Sequence, residues 1–228
     1  MMKSLLSLVL LFMAGFVLFA DEAKKEGKKD SDSKEGWIQL FNGKDLTGWK
    51  THPDDKARWE VKDGLLIGSG PAGHLFSEKG DYDNFRYRVE AMINDQGNSG
   101  QFFRTKYGPS FPKGYEAQIN STHGDPIRTG SLYPSFNPKL SKEDKDKILV
   151  LKAPHKPDEW FTQEVIADGN HIIIKVNGET TVDFVDKNNT YTKGHFALQQ
   201  HNDGSVVKFR KIEYKPLPAS RKEPAAKD

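Results

Sequence analysis

The segment NFRYRVEAMIN, residues 84–94, decides the fold class of this chain. Apolar residues occupy every second position in it, and most of the positions between them carry charge. Side chains of a β-strand point alternately to opposite faces of the sheet, so this pattern predicts a strand with one buried face.

Further strands are predicted on both sides of this segment. HIIIKV (residues 171–176) and ETTVDFV (residues 179–185) flank Asn177-Gly178, the sequence signal of a two-residue β-hairpin turn. Other short strand candidates alternate with Asp-Gly turns. They lie at residues 59–61, 65–68, 101–105, 115–120, 161–167, 195–200 and 206–215. Residues 140–151 are the one stretch with partial helical character, and they predict an exposed loop or a short helix. Many short strands without strand–helix alternation predict an all-β fold of two packed antiparallel sheets.

Composition limits the function classes. The 228 residues carry 34 Lys and Arg against 32 Asp and Glu, so the net charge of +2 does not favour nucleic acid as a partner. The chain has no cysteine, which excludes disulfides, a thiol nucleophile, Cys-ligated zinc and a lipid-modified N-terminal cysteine. Stability must come from the burial of apolar side chains.

The two ends differ from the middle. Lys3 precedes an uncharged run over residues 4–20, which predicts a signal peptide at residues 1–20 and an exported protein with no membrane span after cleavage. A membrane anchor is the alternative, because the run approaches the length of a spanning helix. Residues 21–36 are a charged linker and residues 217–228 a tail by composition, so the folded domain is expected at residues 37–216.

The sequence lacks the motifs of several enzyme classes. It has no G-x-S-x-G, no H-E-x-x-H, no P-loop and no G-x-G-x-x-G after a strand. Nor does any predicted strand carry the paired carboxylates that most glycoside hydrolases use. The sequence therefore supports neither the reactions that depend on these motifs nor glycoside hydrolysis by two paired carboxylates.

Three segments carry candidate site residues. In YEAQIN (residues 115–120), one strand face holds Glu116, Gln118 and Asn120, groups that can bind vicinal sugar hydroxyls. Arg104 follows Phe102 by two positions, so in a regular strand it shares the Phe102 face and could stabilise an oxyanion. His201 stands at a predicted strand end and has a side chain suited to proton transfer. A solvated strand face, a surface Arg and a solvent-exposed His are the alternatives.

Seven motifs in order resemble the 3-keto-disaccharide hydrolase family over nearly all of residues 37–216. They are LFNGKDLTGW (40–49), WEVKDGLL (59–66), GNSGQFFR (97–104), YEAQI (115–119), TGSLY (129–133), VNGE (176–179) and LQQHNDG followed by VKFRKI (198–212). The resemblance implies a concanavalin A-like jelly roll that cleaves glycosides whose C3 hydroxyl has been oxidised to a ketone. The substrate would be a carbohydrate, and an upstream oxidoreductase acting at the sugar C3 would be an expected partner.

The resemblance also suggests roles. A C3 ketone acidifies the C2 proton, so a base, an acid and a partner for the enolate oxygen would suffice without a second carboxylate. Glu116 and His201 are the candidate base and acid in either order, and Arg104 is the candidate enolate partner. The expected substrate-positioning residues are Gln118, Asn98, His123 and Tyr133. No cofactor is predicted; a divalent metal on the enolate is an alternative, although the His and carboxylate spacing shows no ligand motif.

The sequence is also consistent with two functions other than catalysis. One is a non-catalytic carbohydrate-binding module on the same sandwich, and the other is a structural interaction domain. The convergence of Arg104, Glu116 and His201 in one cleft is the structural expectation on which the catalytic reading depends.

Overall fold

A computed structural model describes residues 36–218. Residues 1–35 and 219–228 lie outside the described residues, and they hold the predicted signal peptide, all but the last residue of the predicted linker and most of the predicted tail. No helix in residues 36–218 is long and apolar enough to cross a membrane.

The described chain is a sandwich of two antiparallel sheets, as the alternating patterns predicted. The strands are β1 (Ile38–Gln39), β2 (Trp49–Thr51), β3 (Arg58–Lys62), β4 (Leu65–Ser69), β5 (Gly73–Ser77), β6 (Phe85–Ile93), β7 (Asn98–Thr105), β8 (Tyr115–Asn120), β9 (Phe161–Asp168), β10 (His171–Val176), β11 (Glu179–Val185), β12 (His195–Gln200) and β13 (Val207–Pro216). A 3-10 turn (Pro134–Phe136) and helix α1 (Lys142–Ile148) connect β8 to β9. Ser141 caps α1 by accepting a hydrogen bond from the Asp144 amide at 3.0 Å.

One sheet has eight strands and the other has five. The larger sheet runs β11-β10-β9-β6-β13-β4-β3, with β1 added beside β13, and the smaller sheet runs β2-β5-β12-β7-β8. Non-consecutive neighbours in both sheets show that the chain crosses repeatedly between the layers. The Asn177-Gly178 turn joins β10 to β11 with positive φ at both residues, 52° and 90°, as the sequence predicted.

The core fills the space between the sheets. From the larger sheet it receives the alternate residues of β6 that the sequence singled out, Phe85, Tyr87, Val89, Ala91 and Ile93. From the smaller sheet it receives, among others, Tyr115, Ala117, Ile119, Phe196 and Leu198. Because neighbouring positions on a strand face opposite ways, Glu116, Gln118 and Asn120 of β8 and Gln199 of β12 must lie on the outer face of the five-stranded sheet.

Three strands were not predicted, namely β1, β2 and β5. The GHLFS segment of β5 is buried at every position, so it shows no alternation between apolar and polar residues. This strand lies between β2 and β12 and contributes His74 to the outer face.

Candidate functional site

The candidate site lies on the outer face of the five-stranded sheet, under the loops that flank β8. It has two connected parts. The inner pocket, about 40 Å³, is lined by Asn98, Phe111, Glu116, Gln118, Asp125, Tyr133, Gln199 and His201. The outer groove, about 380 Å³, extends from it over β5 and β12 and shares Phe111, Gln199 and His201 with it. The larger volume is within the range of small-molecule sites.

Glu116 is the buried carboxyl of the inner pocket. Only 3% of the residue is exposed, and its Oε2 has no hydrogen-bond partner. Burial, together with the nearby charge of Asp125, raises the pKa of Glu116 well above its ordinary value of 4.5. Gly100 lies opposite Gln118 on the neighbouring strand, and a Cβ there would collide with Glu116 Oε1. The protein thus holds a buried carboxyl against a glycine, and its raised pKa favours the protonated form, which can give up a proton.

His123 and His201 stand together at one side of the pocket. Their ring centroids are 5.3 Å apart. The Asp125 amide donates to His123 Nδ1 at 3.1 Å, so in the neutral ring the proton must be on Nε2. Burial and the neighbouring His201 lower the pKa of His123, which favours that neutral form. His123 therefore offers an Nε2–H donor.

His201 has the opposite arrangement. Its Nδ1 lies 3.2 Å from Asn202 Oδ1, an oxygen that also accepts from the Ser205 hydroxyl. Because an amide oxygen can only accept, Nδ1 is the donor, and the lone pair of the neutral ring lies on Nε2. The side chain is exposed at the lip of the cleft. His201 is therefore able to accept a proton.

Asn120 fixes the loop that carries His123 and Asp125. Its amide nitrogen donates to the carbonyls of Asp125 and Ile127 at 3.0 and 2.8 Å, and its Oδ1 accepts from the His123 amide at 2.9 Å. Arg128 donates to the same Oδ1 at 3.0 Å. An amide is suited to this position because it donates and accepts at once, which a carboxylate cannot do.

Tyr133 and Asp125 form the far wall of the inner pocket. The Tyr133 hydroxyl donates to Asp125 Oδ2 at 3.0 Å. Burial and the two neighbouring carboxyl groups, Asp125 and Glu116, raise the pKa of Tyr133 to about 12. Asn98 completes the opposite wall, where its amide nitrogen lies 3.3 Å from His123 Nδ1 and its Oδ1 has no partner.

The structure therefore brings together six of the seven predicted residues: Glu116, His201, Gln118, Asn98, His123 and Tyr133. Arg104 is not among them, and the expectation that it meets Glu116 and His201 is wrong. Its guanidinium donates to the carbonyls of Asp83 at 2.6 and 2.8 Å and of Gly169 at 2.6 Å, and it is 1% exposed. A group surrounded by backbone carbonyls in this way has a structural role.

A bulge explains this error. Ala197 on β12 pairs with Phe102, whereas His195 pairs with Thr105, so β7 has one residue more than β12 over this stretch. Arg104 itself has φ of 49°, outside the strand region. Two positions after Phe102, the chain no longer follows the regular alternation on which the prediction relied.

Several residues at the site were not predicted to belong to it, among them Asp125, Phe111, His74 and Gln199. Asp125 and Phe111 lie on loops, where periodicity carries no information. His74 belongs to the unpredicted strand β5, and Gln199 is its cross-strand neighbour. The one available signal was the polar run Gln199-Gln200-His201 at a strand end. Within residues 36–218 no group of three or more His, Asp or Glu is placed to hold a metal ion.

Comparison with known proteins now gives the family. The model of the 3-keto-alpha-glucoside-1,2-lyase-like domain matches residues 36–215. The chain belongs to this family. A 3-keto-disaccharide hydrolase of Bacteroides thetaiotaomicron is 28% identical over 177 residues, which are 66% of this chain and 59% of that protein. The match thus spans less than two thirds of the length of this curated relative.

Solved structures place the family's fold beside carbohydrate-active proteins. A "putative glycosyl hydrolase" from Parabacteroides distasonis ATCC 8503 superposes with a TM-score of 0.61 at 25% identity, over 82% of this chain and 96% of that one. The carbohydrate-binding module CBM66 of Bacillus subtilis has a TM-score of 0.54 at 16% identity, over 75% and 96% of the two chains. At that identity the second likeness shows the fold alone, and it confirms the predicted jelly-roll class.

Proposed function

We propose that the protein cleaves glycosides whose sugar ring carries a ketone at C3. Membership of the family supports this substrate class, as does the 3-keto-disaccharide hydrolase named among its relatives. The observation that carries the proposal is the inner pocket itself, where a buried carboxyl of raised pKa and two imidazoles of opposite tautomer meet.

The proposed reaction is an elimination followed by hydration. A base removes the C2 proton, the C2–H electron pair forms the C1=C2 bond, and the C1–O bond to the aglycone breaks as that oxygen takes a proton from an acid. The ketone at C3 stabilises the charge that develops at C2 as an enolate. Water then adds across the double bond, its hydroxyl at C1 and a proton at C2, and the 3-keto sugar is released. This route forms no covalent glycosyl–enzyme bond. It therefore does not need the two carboxylates, one nucleophile and one acid, that no predicted strand carries as a pair.

Glu116 is the acid in this scheme. Burial raises its pKa and so favours the protonated carboxyl, which can donate to the leaving oxygen. Oε2, which has no partner within the protein, is the atom from which that proton would move.

His201 is the base, and His123 is the partner of the enolate oxygen. His201 presents the Nε2 lone pair at the lip of the pocket, and His123 presents an Nε2–H that can donate to the C3 oxygen as charge develops on it. His123 thus takes the role that the sequence analysis gave to Arg104. Gln118, Asn98 and Tyr133 border the same small space and would hold the remaining hydroxyls of the ring.

The experiment compares two aglycones in D₂O. The substrates are methyl and p-nitrophenyl 3-keto-α-glucoside, and the product is reduced at once with borohydride to stop exchange at C2. Elimination requires deuterium at C2 of the product, whereas direct displacement at C1 leaves hydrogen there. A product without deuterium at C2 would refute the elimination.

Substitutions at Glu116 and His201 test their proposed roles as acid and base. Glu116→Gln should lose far more activity on the methyl glycoside than on the p-nitrophenyl glycoside, because p-nitrophenol leaves without a proton. His201→Gln should lose activity on both. The matched controls are Glu143→Gln on α1 and His171→Gln on β10, which change the same residue types on exposed parts of the fold. Full activity of both site variants would remove this site from the reaction. A carbohydrate-binding module would instead bind glycans and turn over no glycoside.

Two further proposals concern the context of the protein. We propose export, on the composition of residues 1–20, and N-terminal sequencing of secreted protein tests it. A mature chain that begins at Met1 would favour an anchor. The substrate chemistry also calls for an oxidoreductase that converts the C3 hydroxyl to the ketone.

A further inference from the structure

The outer groove holds buried polar atoms that the protein leaves without partners. Among the described residues, eight buried side-chain atoms lack a hydrogen-bond partner, and six of them belong to residues that line the inner pocket or the outer groove. Each such atom costs about 1–3 kcal/mol when nothing satisfies it. Their concentration in one place points to a bound ligand that satisfies them.

Three of these six atoms belong to side chains on the outer face of the sheet that border the outer groove. They are both ring nitrogens of His74 and Oε1 of Gln199. His74 and Gln199 are cross-strand neighbours on β5 and β12 and are 4% and 3% exposed, so both side chains are held by their surroundings. The groove therefore presents both donor and acceptor capacity on side chains held in place.

The charges of the groove select a neutral ligand. No Lys or Arg lines it, and Asp54 and Asp55 do, so an anion would be repelled. His74 is 4% exposed, and burial lowers its pKa to about 3, so its ring is neutral and offers one N–H donor and one acceptor. A ligand with several hydroxyl groups matches this mixture.

Phe111 supplies an apolar surface on the other side. It is 50% exposed, and its ring centroid lies 5.5 Å from that of Phe102 and 6.4 Å from that of His74. An exposed aromatic ring above a polar groove suits a pyranose, which has C–H groups on one face and hydroxyls around its edge.

We propose that the outer groove is the binding site for the leaving sugar and that His74 and Phe111 determine how strongly the protein prefers a sugar over a small alcohol in that position. This inference rests on the proposed function, since it gives the aglycone a place beside the inner pocket. The two spaces are joined through Phe111, Gln199 and His201. One ligand can therefore extend from the reacting ring to the second ring without leaving the cleft.

Specificity kinetics test the proposal. The substrates are maltose oxidised at C3 of its non-reducing ring and methyl 3-keto-α-glucoside, which has no second ring. The variants are His74→Phe, which keeps a ring of similar shape but removes both nitrogens, and Phe111→Ala. The control is Leu151→Ala, a truncation of a residue that is 69% exposed and lies outside the groove.

In both site variants the ratio of kcat/KM for the oxidised maltose to that for the methyl glycoside should fall about tenfold, the loss expected from one or two hydrogen bonds or an equivalent apolar contact. The ratio should keep its native value in Leu151→Ala. An unchanged ratio in both site variants, with turnover intact, would overturn the subsite while leaving the proposed function standing.

A binding measurement distinguishes failure of the proposed subsite from failure of the proposed reaction. Titration calorimetry with unoxidised maltose reports the groove without any chemistry. If no 3-keto-glycoside is turned over but maltose binds and His74→Phe weakens that binding about tenfold, the subsite stands and the proposed reaction falls. Absence of maltose binding together with an unchanged kinetic ratio would refute the subsite.

Discussion

The burial of His74 predicts a pH dependence of stability that one substitution removes. In the folded protein, burial first and the nearby His201 second lower the pKa of His74 from 6.5 to about 3. Above pH 6.5 the ring is neutral in both the folded and the unfolded states and contributes no pH dependence. Between pH 6.5 and 3 the unfolded chain binds a proton that the folded protein excludes, so the free energy of unfolding falls as the pH falls.

The size of this effect follows from the two pKa values. At about 1.4 kcal/mol per pKa unit, the folded protein loses about 2 kcal/mol between pH 8 and pH 5 and about 4 kcal/mol by pH 3. In His74→Phe this loss disappears, because the new ring does not titrate and fits among Phe76, Phe102 and Phe111.

Urea denaturation at pH 8 and pH 5 measures the difference. Between these pH values the native protein should lose about 2 kcal/mol more than His74→Phe. The control is His171→Gln, which removes an exposed histidine paired with Asp183. Parallel losses in native protein and His74→Phe would show that the ring is protonated in the fold and that the reasoning from burial is wrong.

Three other substitutions test separate parts of the structure. Glu116→Gln should raise the melting temperature at pH 8 but not at pH 4, with a gain of about 1 kcal/mol. The reason is that a carboxyl whose pKa is raised by folding lowers the stability once the pH is above its pKa in the unfolded chain. Equal melting temperatures of variant and native protein at pH 8 would contradict a buried carboxyl of raised pKa. Arg104→Met should cost about 3 kcal/mol in urea denaturation because the carbonyls of Asp83 and Gly169 lose their donor, while kcat of the folded protein is retained; a stable variant with lost kcat would restore the catalytic role that the structure denies it. Gly100→Ala should abolish turnover by displacing the Glu116 carboxyl, with the circular dichroism spectrum preserved; native kcat would show that the carboxyl has room to move.

The strands of this fold were predictable where one face of the strand is buried and the other is exposed to solvent. β6 and the β10–β11 hairpin were both found in the sequence, because alternation and an Asn-Gly turn are local signals. The GHLFS segment of β5 was missed because loops and side chains cover its outer face, so both faces are buried and the alternation disappears. Phe102 and Phe111 are part of that cover, since the rings of both lie close to that of His74, and His74 was missed together with its strand.

The position of the Arg104 side chain is determined by the pairing of β7 with a strand that lies far from it in the sequence. The bulge in β7 exists only relative to β12, about 90 residues later, and Gly194 next to β12 leaves the room that the bulge needs. A Cβ at Gly194 would collide with the backbone of Arg104 and Thr105. Spacing within the strand could not reveal this, whereas Glu116 and Gln118 sit on a regular strand and were placed correctly.

The outer faces of the two sheets show why the cleft, rather than any other surface, is the candidate for chemistry. On the eight-stranded sheet many of the charged outward residues are paired across strands, as in Arg86 with Glu164 and Arg210 with Glu90. Such pairs satisfy one another and need no ligand.

The outer face of the five-stranded sheet has the opposite character. It carries amides, a neutral imidazole at His74 and a buried carboxyl of raised pKa at Glu116, several with unpartnered atoms. A fold under selection for stability alone would have paired or removed these groups, since each costs free energy where it stands. Their retention on one face, beside loops fastened by Asn120, is what a neutral, hydroxyl-rich ligand would compensate.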